Sequence, residues 1–183
     1  MVIQIEFFLE FLGRSDLTLV QRGDSTRQTL GILFSDLRGF TSLAEGRSPE
    51  EIFDLLNRYL DAVVPAIHKH GGFVDKYIGD AIMALFPQSP SQSVRSAIEM
   101  FHLLYGFVDH SEIMLKMGVG LHWGEVVLGT LGSRERWEST VIGDSVNLAA
   151  RLEGMTKAYE CPLIISGSVV ELLDDDHEFN LRV

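Results

Sequence analysis

Two aspartates stand where carboxylates often act on a ligand, at the ends of predicted strands. Asp36 follows an apolar run in "GILFSDLRGFT" and ends a predicted buried strand at 31–35. Asp80 lies in the Gly79-Asp80 pair that divides "FVDKYIGDAIMALF", a pattern typical of a hairpin turn. Two neighbouring carboxylates repel each other, and a pair of divalent metals would relieve that repulsion and suit phosphoryl chemistry. On these residues alone, the alternative that each aspartate only accepts hydrogen bonds from turn amides stays open.

The elements around these aspartates alternate between strands and helices. Ser48, Pro49 and Glu51 form a capping-box signature, and the apolar spacing that follows predicts a helix ending at Gly71-Gly72. Further elements are predicted in this order: a helix at about 93–107, a hairpin within 115–132 turning near Trp123-Gly124, a strand, a helix at about 144–155, a strand at 161–166, a short helix at 167–173 and a strand beginning at 177.

This order predicts an α+β, ferredoxin-like sandwich, in which a mostly antiparallel sheet has its helices packed on one face. In such a sheet the strand after the first helix lies beside the first strand. We therefore expect Asp36 and Asp80 to meet at one edge of the sheet.

Composition and charge narrow the classes of function. The 183 residues suit one domain with a short extension, and a hydrophobic fraction of 46% indicates a globular chain. The net charge of −11 argues against nucleic-acid binding, although a bound metal would still allow a phosphate-bearing substrate. Cys161 is the single cysteine, and no apolar run is long enough to span a membrane, so a cytoplasmic segment without membrane contact is expected.

Three motifs together resemble a known family. "FSDLRGFT", "VDKYIGDAIMALF" and "TVIGDSVNLAARLE" occur in the order and spacing of the class III nucleotidyl cyclase catalytic domain, most like that of bacterial adenylate cyclases. The resemblance covers about residues 30–183. It implies a lyase that converts ATP to 3′,5′-cyclic AMP and pyrophosphate in signal transduction. Residues 1–29 then form a lead-in helix and linker from an upstream sensor or regulatory region.

The resemblance also assigns the acidic residues a role. It implies that Asp36 and Asp80, with the Leu37 backbone carbonyl, bind two divalent metal ions, Mg²⁺ or Mn²⁺. The backbone of the turn after Asp36 is expected to line the triphosphate pocket; its residues are Gly39, Phe40 and Thr41.

Four more residues match the family's base-selecting and catalytic positions. Lys76 and Thr140 match the adenine-selecting pair; a lysine only donates, so it meets the N1 acceptor of adenine, whereas guanine carries a donor there. Asn147 and Arg151 match the residues that orient the ribose and stabilise the transition state. They are four apart on a predicted helix, hence on one face, and arginine binds phosphate oxygens well.

In this family the metal-binding residues and the other residues of one active site come from two protomers. One chain that carries both sets implies a head-to-tail homodimer with two equivalent sites and an inactive monomer. The family also has a triphosphate-binding lysine in a strand some tens of residues after Arg151. Only Lys157 follows here, so the chain is expected to end before that lysine and the last hairpin.

Three alternatives remain open at this stage. A guanylate cyclase is disfavoured by Lys76 and Thr140, and a non-catalytic dimerising, nucleotide-sensing module is supported mainly by the missing lysine. A diguanylate-forming palm domain would need a Gly-Gly-acid-acid-Phe turn, where this chain has Tyr77-Ile78-Gly79-Asp80.

Overall fold

The computed structural model describes residues 2–107, 114–133, 135–174 and 179–182. Its elements, in chain order, are α1 (Val2–Leu12), β1 (Ser25–Leu37), α2 (Phe40–Ala44), α3 (Pro49–Lys69), β2 (Phe73–Ile78), β3 (Ala81–Phe86), α4 (Pro90–Tyr105), β4 (Met117–Gly132), β5 (Trp137–Ile142), α5 (Asp144–Ala158), β6 (Leu163–Ile165) and α6 (Gly167–Val170). A short 3₁₀ turn, Leu17–Leu19, lies between α1 and β1.

The strands form one sheet in the order β2-β3-β1-β4-β5, with β6 beside β4. Every pairing along the main path is antiparallel, and only β6 runs parallel to its neighbour. The predicted α+β class with a mostly antiparallel sheet is confirmed. The predicted hairpin of β2 and β3 is also confirmed, with Gly79 and Asp80 in its turn.

Helices cover both faces of this sheet, because alternate residues of the strands point to opposite faces and belong to two separate hydrophobic clusters. Leu33 and Leu121 face the core built with α3 and α4. Leu30, Ile32 and Leu85 face the opposite cluster, which includes Ala149 of α5. The prediction that the helices pack on one face of the sheet is therefore correct for α3 and α4, whereas α5 packs on the other face.

Helix α5 approaches that second face through glycines of β4. A Cβ at Gly120 would overlap the backbone nitrogen of Glu153, and a Cβ at Gly124 would overlap the Ser145 hydroxyl. Glycine therefore lets the backbone of α5 rest directly on the strand. The predicted turn near Trp123-Gly124 is wrong: β4 is one continuous strand, and Gly124 serves close helix packing instead of a turn.

The helix starts follow their capping residues. Ser48 and Glu51 form the predicted capping box, and α3 ends just before Gly71-Gly72 as expected. Helix α4 begins at Pro90, earlier than predicted, because the Ser89 hydroxyl accepts from the Gln92 amide at 3.4 Å. Helices α3 and α4 thus each begin where a side chain satisfies a free backbone N–H.

The ends of the chain differ in part from the sequence prediction. Residues 25–29, expected in the lead-in, form the first part of β1, and Ser25 pairs with Gly129. Residues 179–182 contain no strand, while 177, 178 and 183 lie outside the described residues. Among the residues that the structure describes, no helix is both long and apolar enough to cross a membrane.

Candidate active site

Asp36 and Asp80 meet because β1 and β3 are neighbouring antiparallel strands. Ser35 of β1 pairs with Ile82 of β3, so Asp36 lies beside the β2–β3 turn that holds Asp80. The Leu37 amide donates to Asp80 Oδ2 at 3.3 Å. Asp80 therefore does satisfy a backbone amide, as the simpler alternative requires, yet it also lies against a second carboxyl group.

This closeness changes the acidity of the pair. Burial, the charge of Asp80 and a hydrogen bond with it raise the pKa of Asp36 from 3.8 to about 6, and Glu153 adds to the rise. Arg38 opposes it. The positive charge that the chain itself places near the two carboxylates is therefore too small to offset their burial and mutual repulsion.

The acid pair fits a divalent metal in number and chemistry. Mg²⁺ usually takes one or two protein carboxylates and completes its shell with water and substrate phosphates. The described residues contain no group of three or more His, Cys, Asp or Glu side chains that could hold a metal. A leucine side chain carries no donor atom, so Leu37 can offer only its backbone carbonyl as a further ligand. Two aspartates, the Leu37 carbonyl and a substrate are thus the donor set that this site offers.

The turn after Asp36 presents backbone to the same region. Gly39 has φ 70°, a left-handed conformation that glycine adopts readily, and it leads into α2 at Phe40. Gly39 and Thr41 are exposed, and Phe40 is half-buried against the α3–α4 core. The three predicted triphosphate-binding residues therefore lie together at the end of β1.

Lys76 and Thr140 come together although they lie on the two edge strands of the main path. Lys76 Nζ is 3.5 Å from Thr140 Oγ1. The register of β2 shifts between Val74 and Lys76, so Lys76, not Asp75, stands opposite Met83. This bulge turns Lys76 to the face that carries Met83, and the edge strands β2 and β5 approach each other over that face.

Asn147 and Arg151 are exposed on α5 and have no hydrogen-bond partner within the described part of the chain. The buried side of α5 carries Ala149, Leu152 and Thr156. At about 100° per residue, Arg151 points roughly 130° away from the middle of that side. The structure therefore keeps the two residues on one face, as predicted, but does not bring them to this chain's own acid pair.

Sequence reasoning missed an ion pair beneath the acids. Arg38 Nη2 lies 3.2 Å from Glu153 Oε1, and both side chains are largely buried. Gly118 makes this contact available, because a Cβ there would overlap the Arg38 guanidinium. Burial raises the pKa of Glu153, and Arg38 opposes that rise. Nothing in the local pattern of "DLRGFT" or "RLEGM" pairs these two residues.

Comparison with known proteins places these features in a family. The model for the adenylate and guanylate cyclase catalytic domain matches residues 24–183. The chain is 41% identical to an adenylate cyclase of Anabaena cylindrica, over 96% of this chain and 37% of that protein. It is 36% identical to the terminal-differentiation-specific adenylate cyclase of Dictyostelium discoideum, over 96% of this chain and 9% of that protein. The chain thus spans well under half the length of these relatives.

Solved structures agree with the family match. A bacterial light-regulated adenylyl cyclase superposes with a TM-score of 0.73 at 32% identity, covering 80% of this chain and 79% of that one. The guanylyl cyclase Cya2 superposes with a TM-score of 0.72 at 34% identity, covering 82% and 81%. The family match at residues 24–183 includes every candidate site residue. The chain therefore belongs to the adenylate and guanylate cyclase catalytic domain family.

Proposed function

We propose that this chain is an adenylate cyclase catalytic domain that converts ATP to 3′,5′-cyclic AMP and pyrophosphate. The observation that carries the choice of base is the Lys76–Thr140 contact of 3.5 Å. A lysine donor beside a hydroxyl acceptor matches adenine, whose N1 accepts and whose 6-amino group donates. Guanine presents a donor at N1, so the Lys76 ammonium would face it unfavourably.

Asp36 and Asp80 form the acid half-site. A divalent metal bound there would neutralise the carboxylates and supply positive charge to phosphate oxygens. The backbone at Gly39, Phe40 and Thr41 would contact the triphosphate, and the Leu37 carbonyl would complete the ligand set. The raised pKa of Asp36 supports this role, because it marks a site short of positive charge.

Asn147 and Arg151 form the helix half-site. Asn147 would orient the ribose, and the Arg151 guanidinium would contact oxygens of the α-phosphate as charge develops on them. In the reaction the bond from the 3′ oxygen to the α-phosphorus forms, the bond to pyrophosphate breaks, and the hydroxyl proton is released. Each role uses the donors that these side chains carry.

The two half-sites belong to different active sites, so the active form is a head-to-tail homodimer. Arg151 points away from the sheet that carries this chain's acids, and Leu148 and Met155 are exposed beside it, 38% and 39% respectively. Exposed apolar side chains around an arginine that has no partner among the described residues suit a partner surface. A second copy would supply its acids to this helix and receive the same in return.

Product formation is the first experiment. The purified chain is incubated with ATP or GTP and Mg²⁺ or Mn²⁺, and cyclic nucleotides are quantified, with Asp80→Ala as the inactive control. We expect cyclic AMP from ATP in preference to cyclic GMP from GTP. Preference for GTP would favour the guanylate cyclase alternative. Absence of both products from a dimeric sample would favour the non-catalytic module.

Mixing two inactive variants tests the shared site. Asp80→Ala lacks the acid half-site, and Arg151→Ala lacks the helix half-site, so a mixed dimer contains one intact site. Co-expression at equal levels should restore about a quarter of wild-type activity, since half of the dimers are mixed and each has one of two sites. A mixed dimer without activity would contradict the shared arrangement.

Two wider predictions rest on the sequence alone. These are an upstream sensor or regulatory region in the parent protein and a cytoplasmic location of this segment. They remain predictions.

A further inference from the structure

The bulge in β2 places two charged side chains next to each other. In a regular strand, neighbouring residues point to opposite faces of the sheet. Here the register shifts at Asp75, so Val74 pairs with Ala84 and Lys76 pairs with Met83. The extra residue allows Asp75 and Lys76 to share a face, and Lys76 Nζ lies 3.3 Å from Asp75 Oδ2.

The two partners differ in exposure. The Asp75 side chain is 6% exposed, whereas the Lys76 side chain is 36% exposed. Asp75 and Thr140 also line the same small cavity, together with Phe73 and Leu128. A buried carboxylate with little freedom is therefore next to a long, half-exposed side chain that has several rotamers.

The electrostatics of Asp75 fit a fixed partner for this cation. Burial raises the pKa of Asp75, and the charge and hydrogen bond of Lys76 oppose that rise. The charge of Glu138 on β5 also raises the pKa of Asp75. Lys76 thus helps to keep the Asp75 carboxylate ionised in this place.

We propose that Asp75 is a positioning residue for base selection, which holds the Lys76 ammonium against Thr140 so that both meet the adenine edge. This inference deepens the proposed function and rests on it. Without Asp75 the lysine would move between solvent and pocket, and adenine would lose a preorganised donor. Guanine, which gains nothing from that donor at N1, would lose little.

The test is the ratio of kcat/KM for ATP to that for GTP. Asp75→Asn keeps the shape of the side chain and removes its charge; we expect the ratio to fall about tenfold, mainly through ATP. Glu138→Gln is the matched control, since it removes a nearby exposed carboxylate that does not hold Lys76. It should leave the ratio unchanged.

A double-mutant cycle separates positioning from a general structural role. If Asp75 acts through Lys76, Asp75→Asn adds no further loss of the ratio in a Lys76→Ala background. Asp75→Glu, which keeps a carboxylate, should restore part of the ratio. An equal loss for both nucleotides, an unchanged ratio, or the same loss in the Lys76→Ala background would each overturn the proposal.

Two further measurements keep the proposal testable. If Asp75→Asn fails to fold, the ratio of kcat/KM for ATP to that for GTP is measured for Asp75→Ser and compared with wild type. The same results then support or overturn the proposal. Binding of 3′-deoxy-ATP and 3′-deoxy-GTP, which lack the attacking hydroxyl, reports base selectivity without turnover. A wild-type chain without turnover would contradict only the proposed function. Equal binding of the two analogues by wild type would overturn the role of Asp75.

Discussion

The acid half-site and the helix half-site differ in what surrounds their charges. Asp36 and Asp80 are half-buried and lie against each other, with Glu153 nearby. Asn147 and Arg151 are exposed and, among the described residues, have no hydrogen-bond partner. The first pair has too little positive charge around it, and the second pair has no acceptor groups beside it among the described residues. We therefore propose that a cation and phosphates complete the acid half-site, and that another chain completes the helix half-site.

Removing one acid should separate activity from stability most sharply. Asp36→Asn is expected to lower cyclase activity about a thousandfold, because the metal and phosphates lose a ligand. The metal-free protein should melt about 2–4 °C higher, since the repulsion with Asp80 disappears. Activity assays and thermal melts in a chelator measure both. Asp61→Asn, at an exposed position of α3, should change neither, and a lower melting temperature for Asp36→Asn would contradict the repulsion.

Removing the arginine of the helix half-site should affect activity alone. Arg151→Ala is expected to lower kcat about a hundredfold, because transition-state charge loses its donor. Its melting temperature should stay within about 1 °C of wild type, since the side chain is exposed. Calorimetry and initial rates test this contrast with Asp36→Asn. A clear loss of stability would show that Arg151 also supports the fold of its own chain.

The Arg38–Glu153 ion pair connects the two regions, and breaking it should have an intermediate effect. Arg38→Gln leaves Glu153 largely buried without its cation and removes a charge that lowers the pKa of Asp36. We expect about tenfold weaker activation by Mn²⁺ and lower stability. Titration of activity with Mn²⁺ checks the first effect. The double variant Arg38→Gln with Glu153→Gln should recover stability; if it does not, the pair is not the cause.

The smallest predicted effect is a dependence of metal stabilisation on pH. Because the folded-state pKa of Asp36 is raised from 3.8 to about 6, the folded chain holds an extra proton between these values. This group therefore adds stability to the metal-free protein as the pH falls through about 6, and a metal must displace that proton. Mn²⁺ should raise the melting temperature by several degrees at pH 7.5 and by less at pH 5. An equal shift at both pH values would contradict this linkage.

Much of the acid half-site could be predicted from sequence because its signals are local. A buried strand ends at Asp36, a hairpin turn holds Asp80, and antiparallel pairing of those strands brings them together. The helix half-site was also predictable, since a spacing of four residues places Asn147 and Arg151 on one face.

Other features depend on contacts between distant segments. Gly124 suggests a turn in sequence, and only the position of Ser145 on α5 explains it as a packing glycine. The polar residues 25–29 lack the apolar signal of a strand because only one part of β1 is fully buried. The bulge at Asp75 depends on how β2 pairs with β3. The ion pair of Arg38 with Glu153 depends on how closely α5 packs against the sheet.

The close contact between β4 and α5 has a consequence for the assembled enzyme. Main-chain atoms at Gly120 set how far α5 stands from the sheet, and no change of rotamer can correct that distance. In the proposed dimer, a substitution at Gly120 would displace Arg151 from the active site that belongs mainly to the other subunit. The altered subunit would still offer sound acids to its neighbour. The substitution would then lie in one subunit, while activity would be lost at the site whose acids belong to the other subunit.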